Sequence, residues 1–180
     1  MILIDVINDF DFPGSENLLR HALPAARRLE MLKRAAKDAK IPIIYVNDNF
    51  GRWHTTFDEQ IERCAASGCP GEEVTRCLCP GPDDYFVLKP RHSGFYASSL
   101  EVLLGFLGID TLILTGFAGD ICVMYTANDA YMRGYALVVV PDCIASEDEE
   151  GNHAAINHMG TRLKARIACA AELEEGLKAG

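Results

Sequence analysis

Short apolar runs recur along the chain and alternate with longer segments of mixed pattern. MILIDV at 1–6, IPIIYV at 41–46, YFVL at 85–88, TLILT at 111–115 and YALVVV at 135–140 are too short for helices and rich in β-branched residues. Unbroken apolarity of this length marks strands buried on both faces. Between them the period changes. Ser15 or Glu16 opens a helical pattern through Leu18, Leu19, Leu23, Ala25, Leu29, Leu32 and Ala36, with Pro24 predicting a break or restart. Helical spacing returns over Phe57–Ala66, from Ser98 or Ser99 to Leu107, and from Asp120 to Met132 or Arg133, where Gly134 ends it. His153–Met159 and Ala170–Leu177 read as helices, Ala165–Ala168 as a short sixth strand, and Ser67–Pro82, rich in Gly, Pro and Cys, as loop. Pro141-Asp142 is expected to follow the end of the fifth strand. Strands alternating with helices predict an α/β fold with a mainly parallel sheet of about six strands covered on both faces.

Composition narrows the function classes. The 180 residues suit one domain spanning 1–180, and 49% apolar with 24% charged residues is ordinary for a globular chain. No apolar run approaches the ~18 residues of a membrane span. The first residues lack a basic lead and meet Asp5 at once, so no signal peptide is expected and the reading is cytoplasmic. A net charge of −9 argues against nucleic acid as partner. Cys64, Cys69, Cys77 and Cys79 are spaced x4, x7 and x1, unlike common zinc sites, and the odd total of 7 cysteines argues for reduced thiols.

Right-handed crossovers bring the C-terminal ends of parallel strands to one edge, where open α/β sheets place their sites. Asp5 closes the first strand, Lys89 follows the third, and Cys122 lies one short turn beyond the fourth. Gly116, Phe117, Ala118 and Gly119 form that turn, and Asp120-Ile121-Cys122 opens the next helix. Unpartnered N–H groups and the positive dipole end of a helix start favour a thiolate and bind anions. A carboxylate, an ammonium and a thiol at one sheet edge form a coherent set for nucleophilic chemistry.

Three blocks carry a family resemblance: ILIDVINDF, VLKPRHSGF and GFAGDICVMYTANDA. The chain resembles the isochorismatase-like cysteine hydrolases, which include nicotinamidases and N-carbamoylsarcosine amidohydrolase. The resemblance covers nearly the whole chain. It implies a three-layer α/β/α sandwich around a Rossmann-like sheet, with Asp5, Lys89 and Cys122 as catalytic triad. It also implies a cis peptide between Phe117 and Ala118, an oxyanion hole from the N–H groups of Ala118 and Cys122, a small-molecule substrate, and a homo-oligomer, dimer or tetramer. The expected reaction is hydrolysis of an amide, carbamoyl or imide-like C–N bond through a thioester. Vinyl-ether hydrolysis and a non-catalytic thiol-sensing role on the same fold are the alternatives.

The departures shape the expectation. Nicotinamidases carry Asp-x-His after the second strand to hold a divalent metal. Here that place reads Asp48-Asn49-Phe50, with His54 some distance on, so no catalytic metal and no other cofactor is expected. Asp48 and Asn49 read as caps of their loop. Asn49, Trp53 and Phe95, with Phe10 and Phe117, are the candidates for lining a substrate pocket, and the Asn47–Pro82 excursion is where specificity is expected to lie. Trp53 either packs over a substrate or anchors its loop. Gly119 stands where many relatives have Thr, an exchange expected to widen the pocket or loosen the turn. His21, His92, His153 and His158 have no convergent partners in the sequence pattern.

Overall fold

The computed structural model describes residues 1–178. Six strands form one all-parallel sheet: β1 (Ile2–Ile4), β2 (Ile44–Asp48), β3 (Tyr85–Lys89), β4 (Thr111–Phe117), β5 (Ala136–Ala145) and β6 (Arg166–Ile167). Their order is β3-β2-β1-β4-β5-β6. The chain winds outward from β1 one way and from β4 the other, so the topological switch point falls between these two strands. The helices are α1 (Ser15–Asp38), α2 (Phe57–Cys64), α3 (Glu72–Cys77), α4 (Leu100–Phe106), α5 (Met124–Met132), α6 (Glu149–Arg162) and α7 (Ala170–Lys178).

The period-two geometry of a strand explains the unbroken apolar runs. Ile2 and Ile4 of β1, Ile44 and Val46 of β2, Leu112 and Leu114 of β4, and Leu137 and Val139 of β5 face one core with Leu100 and Leu104 of α4, Ala127 and Ala130 of α5 and Met159 of α6. Leu3, Tyr45, Phe117 and Val140 face the other, with Leu29 and Leu32 of α1, Val74 of α3 and Leu173 of α7. Both faces of the sheet are covered, giving the three-layer α/β/α sandwich.

Several elements differ from the sequence pattern. Helix α1 runs unbroken through Pro24 for 24 residues. Pro24 and Arg20 are both exposed, so the carbonyl that loses its partner at Pro24 meets water instead. The stretch 67–82 is not all loop, because α3 forms within it. Val74 and Thr75 of α3 are buried, and Glu73 pairs with Arg27 of α1 at 2.5 Å. Strand β5 continues through Pro141 to Ala145. Its pairing with β4 jumps from Leu114↔Val139 to Gly116↔Ile144, and Pro141, which has no N–H to give, lies inside that irregularity. Ser99 precedes α4 without a side-chain cap. Ser98 serves the helix start, accepting from the Leu100 N–H at 3.2 Å and donating to the Gly94 carbonyl.

Buried polar groups at the opposite edge of the sheet tie the excursion down. Lys33 of α1 donates to the Tyr45 hydroxyl at 2.6 Å and to the Cys79 carbonyl at 2.8 Å, and Tyr45 donates to the Leu78 carbonyl at 2.6 Å. Asp84 pairs with Lys33 at 3.1 Å and with Lys37 at 2.6 Å.

Candidate active site

The site forms at the C-terminal ends of four adjacent strands. Asp5 follows β1 in the left-handed region, with φ +51°, a conformation Asp tolerates better than most residues. Its N–H donates to the Val46 carbonyl at 3.0 Å, fixing the turn to β2. Its carboxylate accepts the Asp48 N–H at 2.7 Å through Oδ1 and pairs with Lys89 Nζ at 2.8 Å through Oδ2. Lys89, the last residue of β3, is wholly buried at 0% exposure. A buried ammonium persists only when paired, and this one has two carboxylates: Asp5, and Asp48 Oδ2 at 3.5 Å. Lys89 Nζ also donates to Cys122 Sγ at 3.7 Å. The structure therefore brings Asp5, Lys89 and Cys122 together.

The turn that carries Cys122 is built tightly. Gly116, at φ +113°, pairs with Ile4, and a Cβ there would lie 2.1 Å from the Ile4 carbonyl oxygen, so only glycine lets β4 close on β1. The Phe117–Ala118 peptide is cis. Residues Gly119–Val123 form a π-helical turn that leads into α5, a feature frequent at functional sites. Ile121 and Val123 both donate to the Ala118 carbonyl, at 3.2 and 3.1 Å. Among the described residues the Ala118 N–H finds no acceptor. From behind, Ser146 Oγ accepts the Asp120 N–H at 3.1 Å and donates to Asn152 Oδ1 at 2.9 Å. Thr126 Oγ1 donates to the Cys122 carbonyl at 2.6 Å and accepts the Gly94 N–H at 2.9 Å, joining the loop after β3 to the start of α5.

Gly119 neither widens a pocket nor loosens the turn. A Cβ on it would lie 2.2 Å from Asn152 Oδ1 and 2.5 Å from Ile144 Cγ2. The space that a larger side chain would need is occupied by β5 and α6.

The electrostatics define the resting state. Burial would lower the Lys89 pKa, but the Asp5 carboxylate, with Cys122 and Asp48, outweighs it and the value is raised. Burial pushes the Cys122 thiol up, and Asp5 adds to this more than Lys89 takes away. Burial and the Asp5 carboxylate therefore both favour the thiol over the thiolate at Cys122.

The pocket candidates fare differently. Phe10, at 2% exposure, and Phe117, at 0%, fill the core between the sheet and α1. Phe95 packs against Tyr135 at 5.8 Å and beneath the Arg133 guanidinium at 4.8 Å, which places it near the far end of α5 from Cys122. These three rings are layer-filling residues, because burying a large aromatic surface in the core outweighs presenting it in a cleft. Asn49 is buried and accepts the Gly51 N–H at 2.9 Å; Asp48 accepts the Phe50 N–H at 2.7 Å. Both residues cap the loop. Trp53 is 75% exposed and lines a surface cavity of about 560 Å³ with Arg52, His54 and Arg63. Among the described residues no three His, Cys, Asp or Glu side chains are arranged to hold a metal. Asp48 Oδ2 faces the Lys89 ammonium at 3.5 Å.

Sequence reasoning missed the second role of Asp48. Its signal is register: Asp48 pairs with Lys89 across β2 and β3, so opposite charges end two apolar strands side by side. The supports Ser146, Asn152 and Thr126 also escaped, since each acts through a contact distant in sequence.

A parallel sheet in this order, with a carboxylate, ammonium and thiol across its switch point, defines a hydrolase scaffold of the α/β class with a cysteine at its centre. The chain belongs to the isochorismatase family: the family model of the isochorismatase domain matches residues 1–172. The uncharacterized isochorismatase family protein YaaI of Bacillus subtilis is 36% identical over 175 residues, covering 97% of this chain and 96% of that protein. Ureidoacrylate amidohydrolase RutB of Methylobacterium radiotolerans is 28% identical, over 86% of this chain and 70% of that one. The crystal structure of N-carbamoylsarcosine amidase from Thermoplasma acidophilum superposes with a TM-score of 0.71 at 28% identity, covering 95% of both chains.

Proposed function

We propose that this protein hydrolyses a small-molecule amide, carbamoyl or imide-like C–N bond through a thioester on Cys122, without a catalytic metal. The observation that carries the reading is the contact chain from Asp5 to Lys89 at 2.8 Å and from Lys89 to Cys122 at 3.7 Å. The two relatives named for amide hydrolysis support the bond class.

The mechanism follows from the resting protonation. Cys122 is a thiol, so its proton leaves as the sulfur attacks. Asp5 takes that proton, and the S–C bond forms while the carbonyl π electrons move onto oxygen. The N–H groups of Ala118 and Cys122 receive that oxyanion. Lys89 stays charged throughout, and Asp48 remains its carboxylate partner while Asp5 is protonated. Asp5 returns the proton to the leaving nitrogen, the C–N bond breaks and a thioester remains. Water then attacks the thioester with Asp5 as base, releasing the acid and restoring the thiol. A homo-oligomer is the setting that the family resemblance supplies.

The test is ammonia release from a panel of small amides, ureides and N-carbamoyl compounds, comparing wild type with Cys122→Ala, with and without chelator. The expected outcome is a substrate whose turnover falls by at least ~10⁴-fold in the variant and survives chelation. Wild-type turnover in Cys122→Ala overturns the mechanism, and loss on chelation overturns its independence from metal.

A further inference from the structure

Lys89 needs one carboxylate to neutralise it, and it has two. Asp5 comes from the end of β1 and Asp48 from the end of β2, at 2.8 and 3.5 Å from its Nζ. With Cys122 as a neutral thiol, the formal charges of these four groups sum to minus one. We propose that Asp48 is a positioning and specificity residue: it leaves the reacting centre with a net negative charge, so that the site takes substrates whose reacting end is uncharged. The inference rests on the reading of Cys122 as nucleophile.

The geometry gives Asp48 two separable jobs. Its backbone N–H holds Asp5 Oδ1 at 2.7 Å, and its Oδ1 caps the loop through the Phe50 N–H at 2.7 Å. Neither needs a charge. Its Oδ2 faces Lys89, and there the charge acts. Lys89 is fully buried and the Asp48 side chain is 25% exposed, so water screens this cluster poorly. The neighbouring charges do not balance it. Arg63 is paired with Asp9 at 3.3 Å. Asp120, on the nucleophile's own turn, is acidic and its Oδ2 lies toward Gly151 of α6. Burial raises the Cys122 thiol most, Asp5 adds to it, Lys89 opposes it, and Asp48 adds a smaller push in the same direction as Asp5. A carboxylate on the substrate beside the scissile carbonyl would enter this negative field. An amide, ureide or carbamoyl end would not be repelled.

Alkylation of Cys122 tests this without any substrate. Rates at the Cys122 peptide are followed by mass spectrometry, with neutral iodoacetamide and anionic iodoacetate. The same pair of rates for free mercaptoethanol, a small thiol with no protein around it, gives the intrinsic preference between the two reagents. Wild type is expected to disfavour iodoacetate about tenfold more strongly than mercaptoethanol does, the equivalent of about one pKa unit of charge interaction. Asp48→Asn keeps the cap acceptor and the backbone N–H but removes the charge. It should bring the rate ratio toward that of mercaptoethanol, lower the pH midpoint of alkylation and speed reaction with iodoacetamide at pH 7 by about tenfold. Asp48→Ala, which also loses the cap, should shift the midpoint equally if charge is the cause. A wild-type ratio equal to that of mercaptoethanol overturns the proposal, even if Asp48→Asn does not fold. So does an unchanged midpoint in a folded Asp48→Asn. If Cys122 alkylates with these preferences but no amide is turned over, the proposed reaction fails while the charge assignment stands.

Discussion

Gly119→Ala adds one methyl group at the first residue of the turn that carries Cys122, and the structure sets its cost. The new Cβ would lie 2.2 Å from Asn152 Oδ1, 2.5 Å from Ile144 Cγ2 and 3.1 Å from Ser146 Oγ. Ile144 is 4% exposed and held in β5, so it has little room to retreat. Overpacking of this kind costs about 1–3 kcal/mol. If Asn152 swings away instead, its bond from Ser146 breaks and about 1 kcal/mol more is lost. A total of about 3 kcal/mol corresponds to a fall in Tm of about 6–12 °C for a chain of this size. Thermal unfolding followed by circular dichroism measures it. Asn152→Ala removes one of the two clashes, so in that background Gly119→Ala should cost about 1 kcal/mol less. A Tm within about 2 °C of wild type, with no coupling to Asn152, would refute the claim that this turn is packed to its limit.

Two further outcomes follow from buried groups away from the chemistry. Burial raises the Cys64 thiol to about 12. An unfolded thiol titrates near 8.5, so the stability Cys64 contributes is full below about pH 8.5 and is lost as pH rises toward its folded value, at up to about 1.4 kcal/mol per pH unit. Urea unfolding of Cys64→Ala across this alkaline range should show a correspondingly shallower pH slope than wild type; equal slopes would remove Cys64 from the account. Tyr45→Phe leaves the Leu78 carbonyl without its donor and takes one acceptor from Lys33. It should cost about 1–3 kcal/mol in urea unfolding, and a neutral result would mean that other groups satisfy both.

The fold was legible because the strands are buried on both faces. Residues such as Ile2, Leu3 and Ile4 must all be apolar when alternate side chains enter different cores. The Asp5, Lys89 and Cys122 positions were legible for a related reason, since a polar residue ending an apolar strand stands out and parallel topology gathers such ends. What stayed hidden depends on contacts between segments. Pro141 marks a strand's end in isolation, but a register irregularity against β4 absorbs it. The 67–82 stretch reads as loop from its Gly, Pro and Cys content, yet α3 forms within it, with Val74 and Thr75 buried. Phe10, Phe95 and Phe117 sit close in sequence to site residues, but the side to which an aromatic turns is fixed by packing. Asp48 is the sharpest case: as a cap it is read from the next two residues, as a charge partner only from β3.

Lys89, the ammonium of the cluster, belongs to β3, the outermost strand on its side of the sheet, which pairs with β2 alone. Asp5 and Cys122, by contrast, follow the two strands at the centre. The charge cluster therefore joins the most protected part of the molecule to one of its margins. Fraying of that margin would separate Lys89 from both carboxylates while β1, β4 and their cores stay intact. If Lys89 serves the reaction as proposed, loss of activity and loss of global structure are then distinct transitions. Under mild denaturant or rising temperature, turnover should fade while the sheet's spectroscopic signal persists, and amide exchange should be fastest along 85–89 among the strands that build the site.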